Sequence, residues 1–332
     1  MIQAYAKTFP EAAFEPFSFD PGPLGAHDVD IEVESCGICH SDLSMAKNEW
    51  GMTSYPLVPG HEATGRIAAK GDHVTHLEVG QRVGLGWHKG YCMTCQSCMS
   101  GDHNLCATPE QTIVGNHGGF AERVRAHAPS VIPIPEGVAP ESAGPLLCGG
   151  VTVFNPLVQF DVSPTASVAV LGIGGLGHLA LQFCRAWGCH VTGLTSESKQ
   201  DEALKLGAHA TVNSRDADAL KRHAGSFDLI LSTVNVSMDW EGLVFLLKPK
   251  GRLHQLGATL EPIATTVFPL LLGQRQVSSS PVGSPATLVT MLEFCARHTI
   301  APVCEFFPMS EVNEAMAHLE SGKARYRIVL TR

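Results

Sequence analysis

Residues 167–171 form a short apolar run, Ser-Val-Ala-Val-Leu, and the chain then turns through Gly172-Ile173-Gly174-Gly175-Leu176-Gly177. A G-x-G-x-x-G spacing between a strand and a helix constrains the fold more than any other feature of this chain. The apolar run reads as a strand buried on both faces, as parallel sheets require. Past the glycines, Leu176, Leu179, Ala180 and Phe183 recur at i, i+3, i+4 and i+7, one face of an amphipathic helix. Residues 190–194, 228–232 and 251–257 supply further strand-like runs. Strands alternating with helices pack as a parallel α/β sheet.

The glycines have a chemical meaning in that setting. They permit a tight turn and let the backbone approach a pyrophosphate, whose charge the helix N-terminus favours. Which dinucleotide fits is decided near the end of the second strand, where NAD-selective sites carry an acidic residue for the ribose 2′-hydroxyl. Here the text is Leu194-Thr195-Ser196-Glu197-Ser198-Lys199. The hydroxyls of Thr195 and Ser196 and the Lys199 cation suit a 2′-phosphate, so NADP(H) is expected over NAD. Glu197 carries the contrary charge and must point away.

The first 150 residues have another character. Short β-like runs, such as 29–33, 65–68 and 81–85, are broken by glycine and proline, which suggests a β-rich, partly barrel-like domain. At 332 residues the chain exceeds one hydrophobic core, so two domains are expected. Near the end, Val312, Ala315, Met316 and Leu319 mark a helix with Ser310 as its cap, and 326–330 reads as a final strand returning to the first domain. The expected division is 1–150 with a lobe at 88–108, then 151–285, then a return over 286–332.

Eleven cysteines, an odd and clustered set, favour metal ligands over disulfides. Cys92, Cys95, Cys98 and Cys106 form C-x2-C-x2-C-x7-C, which can close a tetrahedron around a structural Zn2+. A bacterial ferredoxin cluster would space its fourth cysteine by three residues and follow it with proline; here the gap is seven and Ala107 follows. Cys39, His61-Glu62 and Cys148 lie far apart, and spacing alone leaves them as packing residues. With 23 Lys plus Arg against 32 Asp plus Glu the chain carries a net charge of −9, a poor match for nucleic acid. No apolar run reaches the roughly 20 residues of a membrane span, and Met1 to Phe9 lacks a secretory pattern. A soluble, cytoplasmic protein without nucleic-acid or membrane partners is expected.

Taken together, Cys36-Gly37-Ile38-Cys39-His40-Ser41-Asp42-Leu43, Pro56-Leu57-Val58-Pro59-Gly60-His61-Glu62, the four-cysteine lobe, Gly144-Pro145-Leu146-Leu147-Cys148 and the glycine motif resemble the zinc-containing medium-chain dehydrogenases. Residues 228–240 and 322–327 resemble their cinnamyl-alcohol-dehydrogenase-like branch, nearest to microbial NADPH-dependent aldehyde reductases. The resemblance implies a Rossmann doubly wound sheet inserted in a β-rich GroES-like domain, and two Zn2+ per chain. It implies Cys39, His61 and Cys148 as ligands of a catalytic zinc, Glu62 as a carboxylate behind the metal, and Asp42 as the residue that orients His61. Ser41 would start the proton relay, while Ser44 stands where many relatives have the outer relay histidine. His40, Thr152, Thr233, Val234, Gly257, Ser280 and Val282 match positions that line the cofactor, together with Gly172, Gly174, Gly175, Leu176 and Gly177. Trp50 and Trp87 are candidate pocket walls. The activity implied is interconversion of small-molecule aldehydes and alcohols in a homodimer or homotetramer. A zinc polyol or secondary-alcohol dehydrogenase, a zinc-free quinone or enone reductase, and a non-catalytic nucleotide-binding protein are the rivals.

Overall fold

A computed structural model describes all 332 residues and packs them as two units, Met1–Val151 with Val282–Arg332, and Thr152–Pro281. The leading segment of the first unit carries β1 (Ile2–Ala6), β2 (Glu15–Phe19), β3 (Asp28–Ile38), β4 (Ala63–Lys70), β5 (Arg82–Leu85), β6 (His88–Gly90), β7 (Glu110–Gln111), β8 (Arg123–His127) and β9 (Val131–Pro133). The second unit holds β10 (Ser167–Leu171), β11 (His190–Thr195), β12 (Ala210–Asn213), β13 (Phe227–Ser232), β14 (Leu247–Gln255) and β15 (Gln276–Ser279). The returning segment adds β16 (Cys304–Pro308) and β17 (Arg327–Thr331).

In the first unit, β16-β17-β3-β4-β5-β9 form one sheet, with β8 also paired to β3. The 11-residue β3 is its spine: Val29, Ile31, Val33, Cys36 and Ile38 are all buried, and register shifts between Asp30 and Ile31 and between Val33 and Ser35 curve it. β17 lies antiparallel to β3, pairing Ile328 with Ile38, and parallel to β16, so the returning segment supplies the edge strand of this sheet and the strand next to it. The core is apolar, with Ile31, Ile38, Met45, Leu57, Ile67, Leu85 and Phe120 among its largest members.

The second unit is a six-stranded parallel sheet in the order β12-β11-β10-β13-β14-β15. That order is 3-2-1-4-5-6, the Rossmann arrangement, with its reversal beside β10, where ligands bind at the carboxyl ends of the strands. The helix Gly177–Trp187 follows β10 directly and buries Leu179, Ala180 and Phe183, as its period requires. Gly188 ends it at φ +105°, a left-handed stop that other residues resist. The strands β12 and β15 escape a sequence reading because Ala210–Asn213 and Gln276–Ser279 are short and mostly polar or small.

One expectation needs correction. Ser310 does not cap the last helix: it lies inside a 3-10 turn, Met309–Glu311, and the helix Val312–Glu320 starts after Glu311. The single turn ahead of the helix shifts the boundary by one residue, a region where helix ends commonly tighten. No helix is long and apolar enough to cross a membrane.

Candidate active site

The site in the first unit is built around one carboxylate. Chain direction changes where β3 ends, and Cys39, in extended conformation, caps the helix His40–Ala46. Asp42, fully buried, accepts the Cys39 backbone N–H through Oδ2 at 2.9 Å. Its Oδ1 accepts the Gly60 backbone N–H at 2.8 Å and stands 3.0 Å from His61 Nδ1. Gly60 sits at φ +100°, and a Cβ there would fall 2.6 Å from the Phe120 ring, so only glycine serves. With Nδ1–H given to Asp42, the lone pair of His61 Nε2 faces Cys148 Sγ at 3.3 Å. Cys148 Sγ is 3.9 Å from Cys39 Sγ. The ligand atoms of Cys39, His61, Glu62 and Cys148 all lie within 4.8 Å of one another.

Bonds of roughly 2.3 Å to sulfur and 2.0–2.1 Å to nitrogen put tetrahedral S···S and S···N separations near 3.8 and 3.6 Å. The observed spacings fit a zinc ion of that geometry. Electrostatics fits as well. The hydrogen bond from Cys148 pulls the Cys39 thiol well below its ordinary range against the cost of burial, and His61 and Arg327 pull the same way. Cys148 is pushed up by the same contact and by burial. A thiolate is the form a metal ligand needs.

A second cluster, in the same unit, joins Cys92, Cys95, Cys98 and Cys106 within the same 4.8 Å limit. Cys92 Sγ lies 3.9 Å from Cys98 Sγ and 3.5 Å from Cys106 Sγ, and accepts the Cys95 backbone N–H at 3.3 Å. Two backbone N–H groups, of Thr94 and Cys95, draw the Cys92 thiol down to about 5. Four sulfurs so placed leave no open position on a tetrahedral ion.

In the second unit the glycine turn joins β10 to its helix. A Cβ on Gly172 would meet Val234 Cγ1 at 2.7 Å, and one on Gly177 would meet the Gly172 oxygen at 1.9 Å. Those two glycines are required by packing. Gly174 is different: a Cβ there would meet nothing within 4 Å. The space against its backbone suits a pyrophosphate. Lys199 Nζ donates to the Ile173 carbonyl at 3.0 Å, which holds the cation over this turn. Ser196 is half-buried and Glu197 exposed, while Thr195 is buried at the end of β11.

Models of two protein families match the chain: the alcohol dehydrogenase GroES-like domain over residues 25–136 and the zinc-binding dehydrogenase over residues 175–297. The aldehyde reductase AdhA of Synechocystis sp. is 59% identical across all of this chain and 99% of its own. The chain belongs to the zinc-dependent medium-chain alcohol dehydrogenases, in their cinnamyl-alcohol-dehydrogenase-like branch. Cinnamyl alcohol dehydrogenase 7 of Arabidopsis thaliana is 40% identical over 95% of the chain and 91% of its own. Among solved structures, a cinnamyl alcohol dehydrogenase of Sorghum bicolor superposes with a TM-score of 0.95 at 36% identity, covering 99% of this chain and 97% of that one. That of Helicobacter pylori, in complex with NADP(H), gives 0.91 at 28% identity over 99% and 97% of the two chains.

This dehydrogenase places beside its cysteine–histidine cluster a residue of the 322–327 motif to which the resemblance gave no role. Arg327, on β17, is ion-paired through Nη2 with Glu62 Oε1, and both groups are buried. Burial raises the Glu62 pKa while Arg327 opposes the rise. A Cβ on Gly37 would fall 2.1 Å from Glu62 Oε2, so glycine in β3 makes room for this carboxylate. The available signal was a single cation in the otherwise apolar run 326–330, since a charge in a buried strand demands a partner.

The remaining expected residues are spread around the dehydrogenase. Ser41 Oγ stands 3.8 Å from Cys39 Sγ. Ser44 is buried and donates to Glu49 Oε2 at 2.7 Å. Trp87 meets the His61 ring edge to face at 5.0 Å, and Trp50 meets Trp87 at 6.3 Å. His40 opens its helix on the exposed side, and Val282 begins the returning segment of the first unit. In the second unit Thr152 is buried, and Ser280 Oγ lies 3.0 Å from His254 Nε2.

Proposed function

We propose that this dehydrogenase is an NADP(H)-dependent aldehyde reductase that interconverts primary alcohols and aldehydes, aliphatic or aromatic. One observation carries the chemistry: two thiols, an imidazole and a carboxylate drawn from three distant segments share a 4.8 Å cluster beside a serine hydroxyl. The full-length similarity to an aldehyde reductase supports the substrate class. In this reading Cys39, His61 and Cys148 hold a catalytic zinc, with Glu62 behind it, and Cys92, Cys95, Cys98 and Cys106 hold a structural zinc. The catalytic domain is the first unit, 1–151 with 282–332, and the second, 152–281, holds the nucleotide, with boundaries within a few residues of those expected from sequence.

When bound, zinc supplies Lewis-acid polarisation of the carbonyl and reduced nicotinamide supplies the hydride. The chain supplies orientation. Asp42 fixes the His61 tautomer, Ser41 delivers a proton to the substrate oxygen, and the Trp50–Trp87 pair forms an apolar wall. Ser44, committed to Glu49, does not extend the relay beyond Ser41, and solvent together with the ribose of a bound cofactor would complete it. Around the nucleotide, Gly172, Gly174, Gly175, Leu176 and Gly177 cradle the pyrophosphate, and Thr152, Thr233, Val234, Gly257, Ser280, Val282 and His40 line the rest. Ser196 and Lys199 take the 2′-phosphate, with Thr195 shaping the strand end.

Steady-state kinetics with NADPH and NADH across aldehydes of different length tests the reading. The KM for NADPH is expected to lie well below that for NADH. Lys199→Ala should raise the NADPH value roughly tenfold, the loss of one charge-assisted bond, with little change for NADH. A preference for NADH in the parent enzyme would overturn the cofactor assignment.

The assembly we infer is a homodimer or homotetramer. Val267, Phe268, Leu271 and Leu272 are all exposed on the helix Val267–Gly273, and β15 has a neighbour on one side only. An apolar patch beside an open strand edge suits a second copy of the chain. A solution mass of one chain by light scattering would contradict it. Eleven free cysteines accord with a reducing, cytoplasmic setting.

A further inference from the structure

One buried side chain in the second unit has no role in the account above. Gln255, the last residue of β14, is 3% exposed. Its Nε2 donates to the Val234 carbonyl at 2.7 Å and to the Gly257 carbonyl at 2.8 Å. Val234 lies just past β13 and Gly257 just past β14, so one amide bridges the loops at the carboxyl ends of two paired strands. The loops are in contact there: a Cβ on Gly257 would fall 2.0 Å from the Val234 oxygen.

The bridge continues to the glycine turn. Thr233 Oγ1 lies 3.0 and 2.9 Å from the carbonyls of Leu171 and Gly172, which share its single proton. Thr233 therefore sets the 233–234 loop against the turn, and Gln255 sets the 257 loop against 233–234. Carbonyl acceptors on both sides fix the amide with its nitrogen toward them. A neutral NH2 brings two donors without a charge to bury, and no other side chain of this length does. Methionine fills the space with no donor, and asparagine is one carbon short of both carbonyls.

We propose that Gln255 is a positioning residue for NADP(H), holding the Val234 and Gly257 segments at the separation that the bound nucleotide needs. It acts through those segments and has no contact of its own to make with the cofactor. The proposal rests on the nicotinamide-nucleotide reading above.

The test is NADPH affinity, read by fluorescence titration well below the unfolding midpoint, in Gln255→Met and Gln255→Asn. In both variants Kd for NADPH should rise roughly tenfold, as expected for losing a buried hydrogen-bonded bridge. The KM for NADPH should follow, while kcat at saturating NADPH, the KM for aldehyde and the zinc content hold. Should one variant fail to fold, the other carries the test. Parent-like NADPH affinity in a folded variant overturns the proposal, and so does a lowered unfolding midpoint with that affinity intact. Failure of the parent enzyme to bind NADPH would instead remove the functional reading itself, before any variant is compared.

Discussion

Cys39→Ser is expected to lower kcat/KM for aldehyde reduction by about a thousandfold or more, the loss of several kcal/mol of carbonyl polarisation. The Cys39 sulfur sits 3.9 Å from Cys148 and beside Ser41. Serine keeps the helix cap, because Asp42 Oδ2 accepts the backbone N–H of residue 39 whatever its side chain, and serine is itself a good cap residue. The fold should therefore survive. Zinc content should fall from two ions per chain to one, since the lobe cysteines are untouched. NADPH affinity should be unchanged, since the glycine turn belongs to the other unit. Retention of both ions together with full turnover would refute the assignment of Cys39.

The second large effect is on stability. Arg327→Met leaves Glu62 as a buried carboxylate without its cation, and breaking such a pair from one side costs about 3–5 kcal/mol. For a domain of this size the unfolding midpoint should fall by roughly 10 °C. Adding Glu62→Gln should recover much of that loss, because the stranded charge is then gone. Thermal unfolding of the parent, both single variants and the pair measures the coupling. A shift of only a degree or two in Arg327→Met would show that the pair does not stabilise this fold.

The parts of this enzyme that could be read in sequence are those where local spacing implies geometry. Four cysteines between residues 92 and 106 can meet almost regardless of the surrounding fold, and the glycine turn announces itself between a strand and a helix. Cys39, His61 and Cys148 are different. Their spacing carries no geometry, and only family resemblance brought them together in advance. Arg327 and Gln255 stayed hidden for a related reason. Arg327 meets Glu62 across 265 positions, and Gln255 acts through main-chain carbonyls, which any residue types present. The strands β12 and β15 were missed because partners supply the pairing that their own residues do not advertise. Ser310 was misplaced because a 3-10 turn and a capped helix start look alike in one dimension.

The insertion of β17 between β16 and β3 bears on when the centre can be finished. During synthesis, residues 92–106 emerge together, and closing so short a loop costs little entropy. The four-sulfur lobe can take its ion while most of the chain has yet to be made. Asp42 and His61 are already made by then and Cys148 follows, but Glu62 has no countercharge until Arg327 arrives, 179 residues after Cys148. The whole nucleotide unit is translated in that interval. The lobe thus has all its sulfurs before Cys148 is made, and the buried carboxylate of Glu62 gains its countercharge last.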